Sequence, residues 1–213
     1  MNIHDYKIWG NPTPKSIDII SRKNLNQPQW LTPEIVNYTI DWIQKQWEDV
    51  PRSNNTDVVA VLPISEDNEI LLIEERRIPF ITDTNEGRVI WLPAGLVDAQ
   101  EDINHAVLRE MQEEIWYSSS DIEFFTRVTS SEWMTNEEVN IFIARNCKKV
   151  TELIDGYKKV WGLFIKHEEA ELIDAIYSIP YEDIDNFLET AQSQWIRRGS
   201  KLDVGLRAYE RDI

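Results

Sequence analysis

The chain has 213 residues, enough for one sizeable domain and an appendage. With 42% hydrophobic and 28% charged residues it has a globular balance, which excludes wholesale disorder. A net charge of −16 argues against nucleic-acid backbones and anionic membranes as partners, and the single cysteine, Cys147, leaves no internal disulfide.

In chain order, residues 1–54 read as a separate N-terminal segment. Turn-rich "IWGNPTPKS" comes first. The stretch "LTPEIVNYTIDWIQKQW" predicts a helix, with Thr32 as N-cap, Pro33 at the first helical position, and Val36, Ile40, Ile43 and Trp47 as one apolar stripe. "EDVPRSNNTD" closes it and places the boundary at residue 54. Residues 55–213 form the main domain. "VVAVLPISEDNEILLIEERRIP" reads as a hairpin around "SEDNE", and "RVIWLPAG" as a third strand. A helix follows, capped by Asp102, with Ile103, Ala106, Val107 and Met111 on its apolar side. "DIEFFTRVT", "EVNIFIARNC" and "GYKKVWGLFI" are strand-like. "HEEAELIDAIYS" and "EDIDNFLETAQSQWI" give two closing helices, the second with Ile184, Phe187, Leu188, Ala191 and Trp195 on one face. Strands interleaved with helices predict an α/β domain with helices packed on a mixed sheet. No apolar run nears the roughly 20 residues of a spanning helix, and "MNIHDYKIWGNPTPK" lacks the apolar core of a signal peptide, so a soluble, cytoplasmic protein is expected.

The stretch "GLVDAQEDINHAVLREMQEE" concentrates acids. Glu110, Glu113 and Glu114 share a helix face, because positions three and four apart are neighbours. Their repulsion fits either a solvated acidic surface or an oxygen cage for a hard divalent cation such as Mg²⁺. The "LPAG" turn brings backbone close to these acids, and Arg109 is spaced to pair with Glu101 across the loop.

The spacing Gly95, five residues, Glu101, seven residues, Arg109-Glu110-Met111-Gln112-Glu113-Glu114 resembles the box of the Nudix hydrolases, G-x5-E-x7-R-E-U-x-E-E-x-G-U, where U is bulky and apolar. The resemblance implies an α/β/α sandwich and metal-dependent hydrolysis of a nucleoside diphosphate linked to another moiety. It implies Mg²⁺, or Mn²⁺, held by Glu110, Glu113 and Glu114 with the carbonyl of Ala94, and Arg109 and Glu101 as structural partners. One box position departs: the late glycine is Trp116, where a left-handed residue would end the helix.

The flanks are similar to the ADP-ribose and nucleoside diphosphate sugar pyrophosphatase branch. Arg77 and Pro79 fall on its Arg-x-Pro element, making Arg77 the candidate phosphate contact, and "WLPAGLVDAQED" matches its strand end. The branch implies a homodimer built with the N-terminal segment and a nucleotide-sugar substrate, while the net charge leaves no nucleic-acid or membrane partner expected. It also implies a general base on a mobile loop, here "SSEWMTNEEVN", with Glu137 ahead of Glu138. Glu132 and Trp133 stand where that loop has Pro and Gly. Trp91 and Trp133 are base-stacking candidates, against burial as the commoner fate of a Trp. His4, His105 and His167 are too scattered for a histidine metal site. Arg197, Arg198 and Lys201 have two readings, contact with an anionic substrate and solvated surface, of which the second is favoured.

Overall fold

A computed structural model describes residues 2–10, 31–52, 56–150, 157–160, 163–166 and 173–212. The elements in order are a 3-10 turn Ile3–Tyr6, β1 Lys7–Gly10, β2 Glu34–Ile40, β3 Ile43–Asp49, β4 Val58–Ser65, β5 Glu69–Thr82, β6 Asn85–Trp91 and β7 Ala94–Leu96. Then come α1 Ile103–Glu114, β8 Tyr117–Ser118, β9 Asp121–Thr129, β10 Glu138–Lys149, β11 Tyr157–Val160 and β12 Leu163–Lys166. The chain closes with β13 Ile173–Pro180, a 3-10 turn Tyr181–Asp183, α2 Ile184–Ser193, β14 Arg197–Arg198 and α3 Ser200–Asp212. Among the described residues no helix is long and apolar enough to cross a membrane.

Among the described residues, ten strands form one mixed sheet with the path β1-β13-β5-β4-β10-β8. β7 pairs β4, β9 pairs β10, and β6 bridges β5 and β14. β4 and β10 run parallel, as do β14 and β6, whereas the other pairs of this sheet are antiparallel. β4 is buried almost throughout, and its period-two alternation serves two cores. Ala60, Leu62 and Ile64 pack with Phe187 and Leu188 of α2 and Leu202 and Leu206 of α3. Val59 and Val61 pack with Ala106, Val107 and Met111 of α1. The result is an α/β/α sandwich, as expected.

Three expectations are corrected. The N-terminal helix is a hairpin: β2 pairs β3 antiparallel with Val36 opposite Trp47 and Ile40 opposite Ile43. A two-residue turn at Asp41–Trp42, with φ of 47° and 68°, sets this register. The stripe read as helical is therefore also one face of the hairpin, and the β-branched Ile35, Val36, Thr39, Ile40 and Ile43 tip the choice to strand. Trp42, at the tip, is 98% exposed. The second correction is "HEEAELIDAIYS": residues 173–178 lie in β13, and residues 167–172 fall outside the described ones. As a strand between β1 and β5, β13 buries Ile173, Ala175, Ile176, Tyr177 and Ile179, losing the alternation that marks a half-exposed strand. Third, α2 buries Ile184, Phe187, Leu188 and Ala191 as expected, but Trp195 is 80% exposed. The chain leaves the helix first, with Trp195 at φ 64°, and Ile196 is buried in its stead. The turn-rich "NPTPKS" and the boundary residues 53–55 lie outside the described residues.

α3 has no counterpart among the sequence expectations. Gly205 weakens its helical signal, yet a Cβ there would come 3.1 Å from Leu92 Cδ1, so the glycine lets the helix lie close on the sheet.

Trp116 resolves the odd box position. It keeps the left-handed conformation of the glycine it replaces, at φ 64°. Packing holds it there: the ring is buried, meets Trp9 of β1 edge to face at 5.8 Å, and carries Lys149 Nζ at 5.5 Å. Trp116→Gly should relieve about 1–2 kcal/mol of backbone strain and forfeit about 3–5 kcal/mol of packing. The expected outcome is a lower melting temperature; a rise would show that strain dominates.

Candidate active site

The acid helix starts cleanly because the Asp102 carboxylate accepts from the N–H groups of Asn104 (2.9 Å) and His105 (3.3 Å). That start aims its last turn at the β7 turn. β7 lies in the sheet through Gly95 opposite Val59, and Leu96 opposite Val58. Glu114 accepts from the Ala94 N–H at 2.9 Å. Glu110 lies over Gly95, where any Cβ would overlap its carboxylate. Both acids are buried. The glycine of "LPAG" thus makes room for a carboxylate on the backbone, and Gly95→Ala has no free space to occupy.

Arg109 balances the cluster. Its Nε and Nη2 bind both oxygens of Glu101 at 2.9 Å, a bidentate pair, and Nη2 also reaches Leu96 O at 2.8 Å. Its Nη1 donates to Glu110 at 2.6 Å and Glu113 at 3.2 Å. Burial works against its charge, but Glu101, Glu110 and Glu113 together outweigh that and hold its pKa above the ordinary range. Glu101 also accepts from the Asp98 N–H at 2.9 Å and lies 3.0 Å from His105 Nδ1. Its hydrogen bonds from Arg109 foremost, against a smaller opposing effect of burial, bring its pKa down to about 2. His105, at a position the box leaves free, thus joins the network.

A divalent ion fits this donor set in part. The donors are hard carboxylates, Gly95 clears the approach, and Glu113 Oε1 is buried with no hydrogen-bond partner. As the side chains stand, no three acidic or imidazole groups among the described residues converge on one point. Arg109 and the Ala94 amide draw them apart, so holding an ion requires side-chain rotation. The Ala94 carbonyl belongs to the turn that Glu114 grips.

The other predicted residues fall into two groups. Arg77 and Trp91 come together: the guanidinium lies 5.4 Å from the Trp91 ring centroid and 2.5 Å from Glu75 Oε1, while Trp91 also packs under Gly199. Burial pushes the Glu75 carboxyl up, and Arg77 partly offsets this. Trp133 lies elsewhere, exposed and stacked on Trp47 of β3 at 5.9 Å.

The acidic loop stands at the same end of the sheet as the box turn. Val58 pairs with Leu96 on one side and Val139 on the other, so the start of β10 is two strands from β7. Glu137 is held by Arg52 Nε and by the Ser130 hydroxyl, which donates to it at 2.5 Å. Glu138 is half-exposed and 3.3 Å from Arg127. Alternation places Glu138 with Asn140 and Phe142 on the α1 side, rather than turning it away. The buried Asn140 binds Val58 O at 3.1 Å and Arg127 Nε at 2.9 Å. Arg197 bonds Asn85 at 2.7 Å and lies over Phe80, and Arg198 pairs with Asp203. Lys201, expected in solvent, is only 7% exposed. Cys147 is buried, and burial pushes its thiol up to about 12, consistent with inert packing.

Comparison with known proteins agrees with this geometry. Residues 54–198 match the NUDIX domain. The chain is 34% identical over 129 residues to an ADP-ribose pyrophosphatase of Saccharomyces cerevisiae, covering 53% of this chain and 54% of that one. It is 29% identical over 91 residues to a methanol dehydrogenase activator of Bacillus methanolicus, covering 43% and 46%. The aligned part therefore spans about half the length of these relatives. A crystal structure of an ADP compounds hydrolase superposes with a TM-score of 0.64 at 17% identity, covering 95% of this chain and 98% of that one, and so shares the fold. With its box acids seated on the "LPAG" turn and its sheet sandwiched between α1 and α2–α3, the chain belongs to the Nudix family.

Proposed function

We propose that the protein hydrolyses the pyrophosphate bond of an ADP-ribose-like nucleoside diphosphate sugar, giving a nucleoside monophosphate and a sugar phosphate. The observation that carries this reading is the complete acid set of the box, anchored on Ala94 and Gly95 with a buried Glu113 oxygen left unpartnered. The yeast relative, named an ADP-ribose pyrophosphatase, supports the substrate class. Glu110, Glu113 and Glu114, with the Ala94 carbonyl, would hold Mg²⁺ or Mn²⁺. When bound, the ion supplies charge neutralisation and polarisation of phosphate oxygens.

Arg109 keeps the acid helix pinned to the turn while the carboxylates rotate. Arg77, beside the Trp91 ring, would contact a substrate phosphate. Glu137 accepts the proton of the attacking water, because Arg52 and Ser130 both hold its carboxylate and it is less exposed than Glu138; Glu138, on the α1 side, is the alternative. Replacing the acceptor by Gln should lower kcat roughly 10²–10⁴-fold with little change in KM. Near-normal kcat in both Glu137→Gln and Glu138→Gln across pH 6 to 9 would move the role to Glu113 or Glu132.

A second reading follows from the relative named as an activator: a nucleotide-binding module that regulates without cutting. Turnover separates the two. A panel of nucleoside diphosphate derivatives assayed with Mg²⁺ and Mn²⁺ should show release of a nucleoside monophosphate, and binding without release would favour the regulator.

The N-terminal segment serves, in this reading, as an oligomerisation element. Its hairpin exposes Val36, Ile40 and Ile43 on one face, an apolar strip that suits a second copy. Light scattering at micromolar concentration should show a dimer, and a monomer would refute it.

A further inference from the structure

We infer that Lys201, together with Arg52, is a positioning residue for Glu137, fixing the neck of the 130–137 loop from below. The inference rests on the hydrolase reading, in which that loop presents the proton acceptor.

Lys201 is an unusual place for a charge. It is 7% exposed and sits in the first turn of α3, where unpaired backbone N–H groups already make the local field positive. Burial and the helix end both disfavour an ammonium. Among the described residues its three donors have only long contacts, 3.3 Å to Ser200 Oγ and 3.5 Å to Ser130 O. Burial lowers its pKa, and the charges of Glu137 and Glu132 push back. The charge of the loop acids thus offsets part of the burial penalty, while the contact that ties Lys201 to the loop is the Ser130 carbonyl.

The side of the sheet defines the role. α3 packs through Leu202 and Leu206 on the face opposite α1. A lysine there reaches the loop from beneath and is no ligand for groups held by the box acids. Its contact, Ser130, is the neck itself: the Ser130 N–H donates to Glu137 O at 2.9 Å, and its hydroxyl donates to the Glu137 carboxylate. From the other side Arg52 pairs with the same carboxylate, and its N–H donates to Asn136 Oδ1 at 3.4 Å. Val50 N–H to Met134 O at 2.8 Å and the Trp47–Trp133 stack fasten the loop crown to the N-terminal hairpin. The two regions of the chain that carry no motif meet on one loop.

The test compares Lys201→Met and Lys201→Arg in the full chain, with turnover and amide hydrogen exchange across residues 130–138 measured on the same samples. Lys201→Met should lower kcat by about 10²-fold, the loss that follows misplacement of a reacting group, while KM stays near wild type. The Ser130 amide should exchange faster, and Lys201→Arg should recover most of both losses. Adding Lys201→Met to Glu137→Gln should cost nothing further in kcat. Wild-type kcat with unchanged exchange, or full additivity with Glu137→Gln, would overturn the inference. Should Lys201→Met fail to fold, Arg52→Gln reads the same quantities from the half-open side of the loop, with the same expected and overturning results. If the wild-type chain turns over no substrate, the hydrolase reading fails on its own, and the exchange of Ser130 still decides whether Lys201 holds the neck.

Discussion

Glu114→Gln and Glu110→Gln should each abolish turnover while leaving the fold in place. The two substitutions keep the shape of the side chain. In Glu114→Gln the new amide oxygen still accepts from the Ala94 N–H, so the 2.9 Å bond that seats the helix end survives. In Glu110→Gln the new side chain still fits the space above Gly95. What disappears is a negative charge and a strong oxygen donor for a hard cation. We expect kcat to fall by roughly 10³-fold, about 4 kcal/mol in the barrier. Melting temperatures should stay close to wild type, since relief of acid–acid repulsion offsets part of the loss at Arg109. The measurement is steady-state turnover at saturating Mg²⁺, and half of the wild-type kcat in either variant would refute the metal-ligand assignment.

Arg109→Ala should be the most destabilising change in the site. It strips Glu101, Glu110 and Glu113 of a shared cation in one step and frees the Leu96 carbonyl. Breaking a buried pair from one side costs about 3–5 kcal/mol. Glu101→Gln should cost less, because the amide oxygen still accepts from Arg109, and the difference carries a pH signature. Glu101 has its folded pKa lowered from 4.5 to about 2, so its contribution is complete above pH 4.5 and fades as pH falls through 2. The melting-temperature gap between wild type and Glu101→Gln should therefore be full at pH 7 and close between pH 4.5 and 2. A gap independent of pH, or no gap at pH 7, would reduce the pair to a surface contact.

The sequence carried most of the acid helix because its constraints are local. Asp102 caps within three residues, the box acids share one helix face, and Gly95 answers to Glu110 fifteen positions on. Where one stripe suits two structures, periodicity misleads. Val36, Ile40, Ile43 and Trp47 are helical by spacing and cross-strand by register, since each pair is symmetric about the Asp41–Trp42 turn. β13 was hidden by burial on both faces, and α3 by a glycine at its close approach to Leu92. The grip on Glu137 was beyond reach for another reason. Arg52, which pairs with the Glu137 carboxylate, and Lys201, which reaches the Ser130 carbonyl at the loop neck, are far apart in sequence, and neither has a neighbour in sequence that hints at a shared loop.

The Trp9–Trp116 contact ties the opening of the chain to the end of the acid helix. Trp9 belongs to β1, which is zipped to β13, and Ile3 just before it is fully enclosed in the core with α2. A strained backbone at Trp116 persists only while its surroundings hold it, and those surroundings include residues 3–9. Residues 3–10 and the acid helix should therefore melt as one cooperative unit, although the family motif starts far downstream of β1. The coupling runs one way: loss of the Trp9 ring removes part of the packing that holds Trp116 left-handed and so favours glycine at position 116, a dependence that no reading of the box in isolation contains.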